Sequence, residues 1–245
     1  MSMPPDVFTL PFLKTLPLFS DLTEQEMDLL QKKSRCRTYE DGSIIFTQGD
    51  PITSLYVLCQ GTVQVFRDTQ TGNEVTTDIL IAGDLLGADE MINAVKTHTS
   101  SAKAIDKTVV IDIPAPWVRD NFKSFDTLGE HLLGYVSKRL HQAQTEREQR
   151  ITMTAPQLIA CYLHRLCFLY GFDPKNFDLP YKKTLIASRL GMALETFSRS
   201  LEKLSDHGIT LSGNRVSIHD FEKSTKFVCS ECSISDVCEN HPDDK

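Results

Sequence analysis

A change of texture in the middle of the chain most narrows what it can fold into. Between residues ~38 and ~113, short β-rich runs alternate with turn signals: Asp41-Gly42, Gly49-Asp50-Pro51, Gly61, Gly72-Asn73 and Gly83-Asp84. The runs 55–59 and 62–66 flank Gln60-Gly61, which predicts a hairpin, and 74–81 supplies another strand after Thr71-Gly72-Asn73. Strands this short and regular predict a small β-barrel or jelly roll. The pattern on either side is helical. Residues ~9–33 read as helix with a turn and an N-cap at Asp21 or Thr23. Residues ~125–150 read as one long helix whose Leu128, Leu132, Val136, Leu140 and Ala143 form a single apolar stripe. A stripe that narrow suits a helix pair at a dimer seam, and the competing reading packs it on the chain's own barrel.

Behind the long helix, residues ~154–227 form a compact helical module ending in a hairpin over 210–218. Within it, Lys183 to Gly191 reads as a helix stopped by glycine, and Leu194 to Leu204 as a second helix that follows at once. Two short helices joined this way predict a helix-turn-helix. On the second, Phe197, Leu201 and Leu204 face inward, while Glu195, Ser198, Arg199 and Glu202 share the opposite face. An arginine there can give two hydrogen bonds to a guanine edge, and a glutamate can accept from a cytosine amino group. The chain carries a net charge of −7, but residues 182–226 hold eight basic residues against five acidic ones. A positive module therefore sits in an acidic chain, as local DNA binding requires.

The far end reads Cys229-Ser-Glu-Cys232-Ser-Ile-Ser-Asp-Val-Cys238. Thiolates at this spacing in a polar tail suit a metal ion or an iron–sulfur cluster, with free thiols or a disulfide as the alternatives. Three thiols leave one over after any disulfide. Seven cysteines with no secretory signal and no apolar run near the ~18 residues of a membrane span predict a cytoplasmic protein. No histidine spacing, Ser/His/Asp set, P-loop or paired carboxylate points to an enzyme.

On these residues the chain resembles the cAMP receptor protein/Fnr family of bacterial transcription regulators over nearly its full length. Residues 55–61 and Gly83-Asp-Leu-Leu-Gly87 look like the family's sensor barrel, and Glu195-Thr-Phe-Ser-Arg199 is similar to the Glu-x-x-Ser-Arg recognition helix of the Fnr branch. Leu194 stands where the cAMP receptor branch would have arginine, which again favours Fnr. The resemblance implies an α+β fold: an N-terminal β-barrel (jelly-roll) sensor over 1–124, a dimerisation helix over 125–152, a winged helix-turn-helix over 153–227 and a cysteine tail over 228–245. It implies half-sites like TTGAT in a palindrome, with Arg199 reading guanine, Glu195 cytosine and Ser198 thymine. Members usually place Ser or Thr where Ala193 stands, so the recognition helix loses a cap worth ~1 kcal/mol.

The tail is similar to the family's cluster loop, down to Cys-Ser-Ile-Ser-x-x-Cys. The Fnr branch carries that loop at its N-terminus; here it follows the DNA-binding module, as in some members. The resemblance implies a [4Fe–4S] centre that oxygen degrades, weakening dimerisation. Ile111 falls on the distant ligand's position and cannot ligate. Cys161 is the favoured fourth ligand: it lies opposite the Ile159, Leu163, Leu166 and Tyr170 stripe, beside His164 and Phe168. A cysteine and a phenylalanine on an otherwise wet face predict a cover, for which the C-terminal tail is the candidate. His164, His241 and a carboxylate are alternatives, while Cys167, Cys59 and Cys36 are expected only to pack. A structural zinc or another effector is the competing reading of the whole protein. A cyclic nucleotide is not expected: Gly87-Ala88-Asp89 replaces the family's Gly-Glu motif, and residues 98–103 carry no arginine, with Lys103 the nearest cation. The expected partners are double-stranded DNA, a second copy of the chain and RNA polymerase.

Overall fold

The computed structural model describes residues 9–92, 95–121, 126–230, 232–234 and 238. The chain gathers into two compact units, residues 1–140 and 141–245, whose boundary falls inside one long helix.

The first unit opens with helices α1 (Thr9–Thr15) and α2 (Glu24–Lys33). Thr23 caps α2 in a reciprocal box with Glu26, so two otherwise unpaired amides are satisfied where the sequence placed a helix start. Eight strands follow: β1 (Arg35–Tyr39), β2 (Ile44–Phe46), β3 (Ser54–Gln60), β4 (Thr62–Asp68), β5 (Glu74–Ile81), β6 (Leu85–Leu86), β7 (Ser101–Ala104) and β8 (Thr108–Pro114). They form two four-stranded antiparallel sheets, β1-β8-β3-β6 and β2-β7-β4-β5. This is the jelly-roll class expected, built as two sheets rather than one closed barrel.

The expected hairpin at Gln60-Gly61 is not there. β3 and β4 lie in different sheets, and Gly61 is the corner between them. Its φ of +87° and the atoms of Asp106, Lys107 and Thr108 within 2.7 Å of where a Cβ would sit explain why only glycine fits. The true hairpin is β4–β5, turning at residues 69–73. Leu55, Val57, Ile111 and Ile113 fill the core beneath the helices, while Leu58, Val63 and Val110 fill the space between the sheets.

Helix α3 (Ala88–Ile92) and helix α4 (Ala115–Asn121) precede the long helix α5 (Asp126–Thr152). Trp117 lies half-buried in α4. The apolar stripe of α5 divides. Leu128 and Leu132 are 2% exposed in the core of the first unit, whereas Leu140 is 59% exposed. The N-terminal part thus follows the own-barrel reading, and Leu133, Leu140 and Ile151 are the exposed apolar side chains of the helix.

The second unit contains the end of α5, α6 (Ala155–Tyr170), α7 (Lys183–Arg189), α8 (Leu194–Lys203) and α9 (Phe221–Cys229). A small sheet, β10-β11-β9, joins β9 (Phe177–Asp178) to the hairpin of β10 (Ile209–Ser212) and β11 (Arg215–Ile218). Helix α9 was not anticipated. Asp220 caps it, accepting from the Lys223 amide at 3.0 Å, and Cys229 is its last residue instead of part of a free tail.

Candidate functional site

Helices α7 and α8 form the helix-turn-helix, joined through Gly191 at φ +71°. Phe197 and Leu204 are buried and Leu201 is half-buried, so the inward face is the one the sequence marked, with Ser200 buried beside it. Glu195, Ser198, Arg199 and Glu202 are all exposed on the outer face. Arg199 Nε donates to the Glu195 carbonyl at 3.3 Å, which holds the guanidinium along the first turns. Ala193 makes no side-chain cap, as expected. The basic surplus shrinks on inspection: Arg189 is buried against Glu146, Arg215 pairs with Asp178 and Lys226 with Glu222. Lys182, Arg199, Lys203 and Lys223 remain exposed cations of this segment.

Behind the recognition helix, one face of the end of α5 holds the module together. Glu146 pairs with Arg165 of α6 and, at 2.6 Å, with Arg189 of α7, while Arg150 donates to the Arg189 carbonyl at 2.8 Å. Burial tends to raise the Glu146 pKa, but Arg189 and Arg165 outweigh it and hold the carboxyl below the ordinary value.

The thiols come next. Cys161 is partly buried, with Cys229, Cys232 and Cys238 near enough to shift its pKa, consistent with the covered face expected for it. Its thiol is pushed up to about 12, first by burial and then by the neighbouring Cys238, Cys232 and Cys229. Cys229 is pushed up to about 11 by burial and then by Cys232 and Cys238. Cys161 on α6 thus lies near Cys229, Cys232 and Cys238, which come 68 to 77 residues later in the sequence. Among the described residues, no group of three or more His, Cys, Asp or Glu is gathered tightly enough to hold a metal ion as it stands. The donor set nonetheless fits an iron–sulfur cluster: four soft thiols, with Cys161 on a packed helix and Cys229 at the end of another.

Surrounding groups hold the segment down. Gln157, 6% exposed, accepts from the Thr154 amide at 2.9 Å and donates to the Phe227 carbonyl at 3.0 Å and Ser230 Oγ at 3.2 Å. Gln149 Nε2 donates to Cys232 Sγ at 3.9 Å. Sequence reading missed both glutamines. Gln157 was legible only as the fourth member of Thr154-x-x-Gln, a capping-box signature.

Other candidates fall elsewhere. His164 is buried, hydrogen-bonded to Ser224 Oγ at 2.9 Å and stacked on Phe221. Phe168 packs edge-on against Phe221. Cys167 donates to the Phe172 carbonyl at 3.2 Å, a packing role as expected. Cys59 and Cys36 are half-buried in the first unit, and burial raises the Cys59 thiol to about 12. His241 lies outside the described residues.

The first unit carries a cavity of about 580 Å³ lined by Arg67, Glu90, Thr99, Ser100 and Arg139, among others. Lys103 is not the cation nearest Ser100. It is held by Glu74 at 2.9 Å, while Arg67 reaches Ser100 Oγ and Thr99 Oγ1 at 3.5 Å. Sequence reading missed Arg67 because it comes from the neighbouring strand β4, whose pairing Phe66↔Ser101 brings it alongside Ser100. Asp78 pairs with Arg139, and Glu90 is occupied by His98 at 2.6 Å and the Thr99 amide at 2.5 Å.

A jelly-roll domain followed by a helix-turn-helix with its reading face open defines a DNA-binding regulator. Residues 36–124 match the cyclic nucleotide-binding domain family and residues 158–223 the Crp-like helix-turn-helix domain family. The transcriptional activator protein anr of Pseudomonas aeruginosa is 30% identical over 210 residues, covering 84% of each chain. The anaerobic regulatory protein of Pasteurella multocida is 29% identical over 204 residues, 81% of this chain and 74% of that one. FixK2 from Bradyrhizobium japonicum shares the fold with a TM-score of 0.70, covering 79% of this chain and 96% of its own at 19% identity. The chain belongs to the Crp/Fnr family of transcription regulators; it is not an enzyme. Among its described residues, no helix is long and apolar enough to cross a membrane.

Proposed function

We propose that this protein is a dimeric, oxygen-responsive regulator of transcription that carries an iron–sulfur cluster on Cys161, Cys229, Cys232 and Cys238. The observation that carries this reading is the nearness of Cys229, Cys232 and Cys238 to Cys161 on α6, in a segment held to α5 by the Gln149–Cys232 contact and to α6 by Gln157. Cysteine thiolates suit iron–sulfur clusters, and four is the usual number for [4Fe–4S]. Relatives named anaerobic regulatory proteins support the oxygen-linked role. When bound, the cluster supplies a centre that oxygen can degrade.

The protein's own residues do the rest. Cys161 offers a fixed anchor on α6, and Gln157 ties the end of α9 to the first turn of α6. Arg199 reads guanine, Glu195 cytosine and Ser198 thymine from the exposed face of α8 in the major groove, in a palindromic site. Leu133, Leu140 and Ile151 on α5 offer the apolar seam for a second copy. RNA polymerase is the expected protein partner. Anaerobic purification followed by iron, sulfide and zinc analysis tests the reading. Brown protein with about four irons and four sulfides per chain supports it. Colourless protein holding zinc and no iron overturns the sensor and leaves a structural metal.

A further inference from the structure

Three neighbouring residues on one face of α5 touch two different things. Glu146 and Arg150 hold Arg189, the last residue of α7, which supports the recognition helix. Gln149, between them, gives its amide N–H to Cys232 Sγ. Positions i, i+3 and i+4 of a helix lie side by side, so one turn of α5 meets both the DNA-binding module and the thiol-bearing segment. A neutral thiol is a weak acceptor, whereas a metal-bound sulfur is anionic and draws an N–H donor more strongly. The Gln149 contact therefore has different strengths in the two ligation states of Cys232. A ligand shifts a conformational equilibrium only through such a difference.

We infer that the 146–150 turn of α5 is the junction through which metal ligation at the cysteine segment controls the helix-turn-helix, with Gln149 as the positioning residue that registers the state of Cys232. The inference rests on the proposed metal site but not on the identity of the metal. Ligation tightens Gln149 on Cys232 and fixes the turn. Glu146 and Arg150 then fix Arg189, and the exposed face of α8 is held ready for DNA. Loss of the metal slackens Gln149 and lets that support relax.

The experiment compares full-length protein loaded anaerobically with its cluster, or with zinc alone, against the same protein stripped by chelator. Affinity for a matched palindrome is measured in each state, with metal content measured in the same samples. The wild type is expected to bind at least about tenfold tighter when loaded. Gln149→Glu keeps size and shape but replaces the N–H donor with a carboxylate facing sulfur. It should load metal, and its loaded-to-stripped ratio should fall to within about twofold of unity. Gln149→Lys restores an N–H donor and should restore most of the ratio. A merely structural role would instead lower both states together and leave the ratio unchanged. The inference is overturned if Gln149→Glu loads normally and keeps the wild-type ratio, if Gln149→Lys fails as Gln149→Glu does, or if metal-loaded wild type shows no ratio at all. Zinc without iron in the wild type sinks the oxygen-sensor reading alone, while a chain that takes up neither metal sinks both.

Discussion

The jelly-roll cavity and the thiol site are the two regions of this molecule where a signal could be taken, and their polar groups are occupied differently. In the cavity the charged groups have partners: Asp78 holds Arg139, and His98 and Thr99 hold Glu90. Arg67 keeps only long contacts with two hydroxyls. At the thiol site, Cys161 feels Cys238, Cys232 and Cys229 more strongly than it feels Arg165, and the Gln149 amide points at Cys232 Sγ. Most of the cavity's charges are tied to opposite charges in its own wall, with Arg67 the exception, whereas the thiols are soft donors of the kind that hold metals. On the proposed function, the contrast places the signal at the end of the chain rather than in the jelly-roll cavity.

The largest effect expected on this contrast is all-or-none. Serine at Cys229, Cys232 or Cys238 should abolish the visible absorption of anaerobic protein, and retention of full absorption in any one would remove that residue from the site. Cys161→Ser should leave a weakened, more labile chromophore, whereas Cys167→Ser should leave it nearly intact, because Cys167 only hydrogen-bonds Phe172. An equally stable cluster in the Cys161 variant would assign the fourth ligand elsewhere.

Next in size is the reading face. Arg199→Ala should cost ~1–3 kcal/mol at a matched site and relax the guanine preference, measured by binding to single-substitution operators. Equal loss on random DNA would make Arg199 a phosphate contact.

A smaller effect comes from Glu146. Its folded-state pKa is depressed, so its stabilising contribution is present above the ordinary carboxyl value near 4.3 and is lost as pH falls through the lower folded value. Acid unfolding below pH ~4 should therefore be steeper in the wild type than in Glu146→Gln, which should also lose about 2 kcal/mol at neutral pH. Coincident acid-unfolding slopes would contradict the pairing. The smallest expected effect is none: cAMP should neither bind at micromolar concentration in calorimetry nor tighten DNA binding. A cAMP-dependent gain would return the signal to the cavity and to Arg67.

What was legible in the sequence was local. The Thr23 capping box, the glycine between α7 and α8, and the alternation of Phe197, Leu201 and Leu204 with Glu195, Ser198 and Arg199 are short-range patterns, and the folded chain follows them. The failures were non-local. Gly61 reads as a hairpin turn, but strand pairing depends on partners far along the chain, and Gly61 serves a crossing between sheets. Arg67 was invisible beside Ser100 because only the β4–β7 register joins them. Helix α9 had a signal in Asp220 and in Phe221 and Val228 seven residues apart, but its middle is polar and short. The four thiols were legible as three plus a candidate. The helical wheel points to a cover over Cys161, but that this cover includes helix α9, packed on α6 through His164 and Phe221, no spacing reveals.

The most direct test titrates oxygen into anaerobic protein while visible absorption and affinity for a palindromic operator are followed in the same sample. The two should fall together, with affinity lost in proportion to the cluster remaining. Affinity that stays constant while the colour bleaches would contradict the proposal that the cysteine site governs DNA binding.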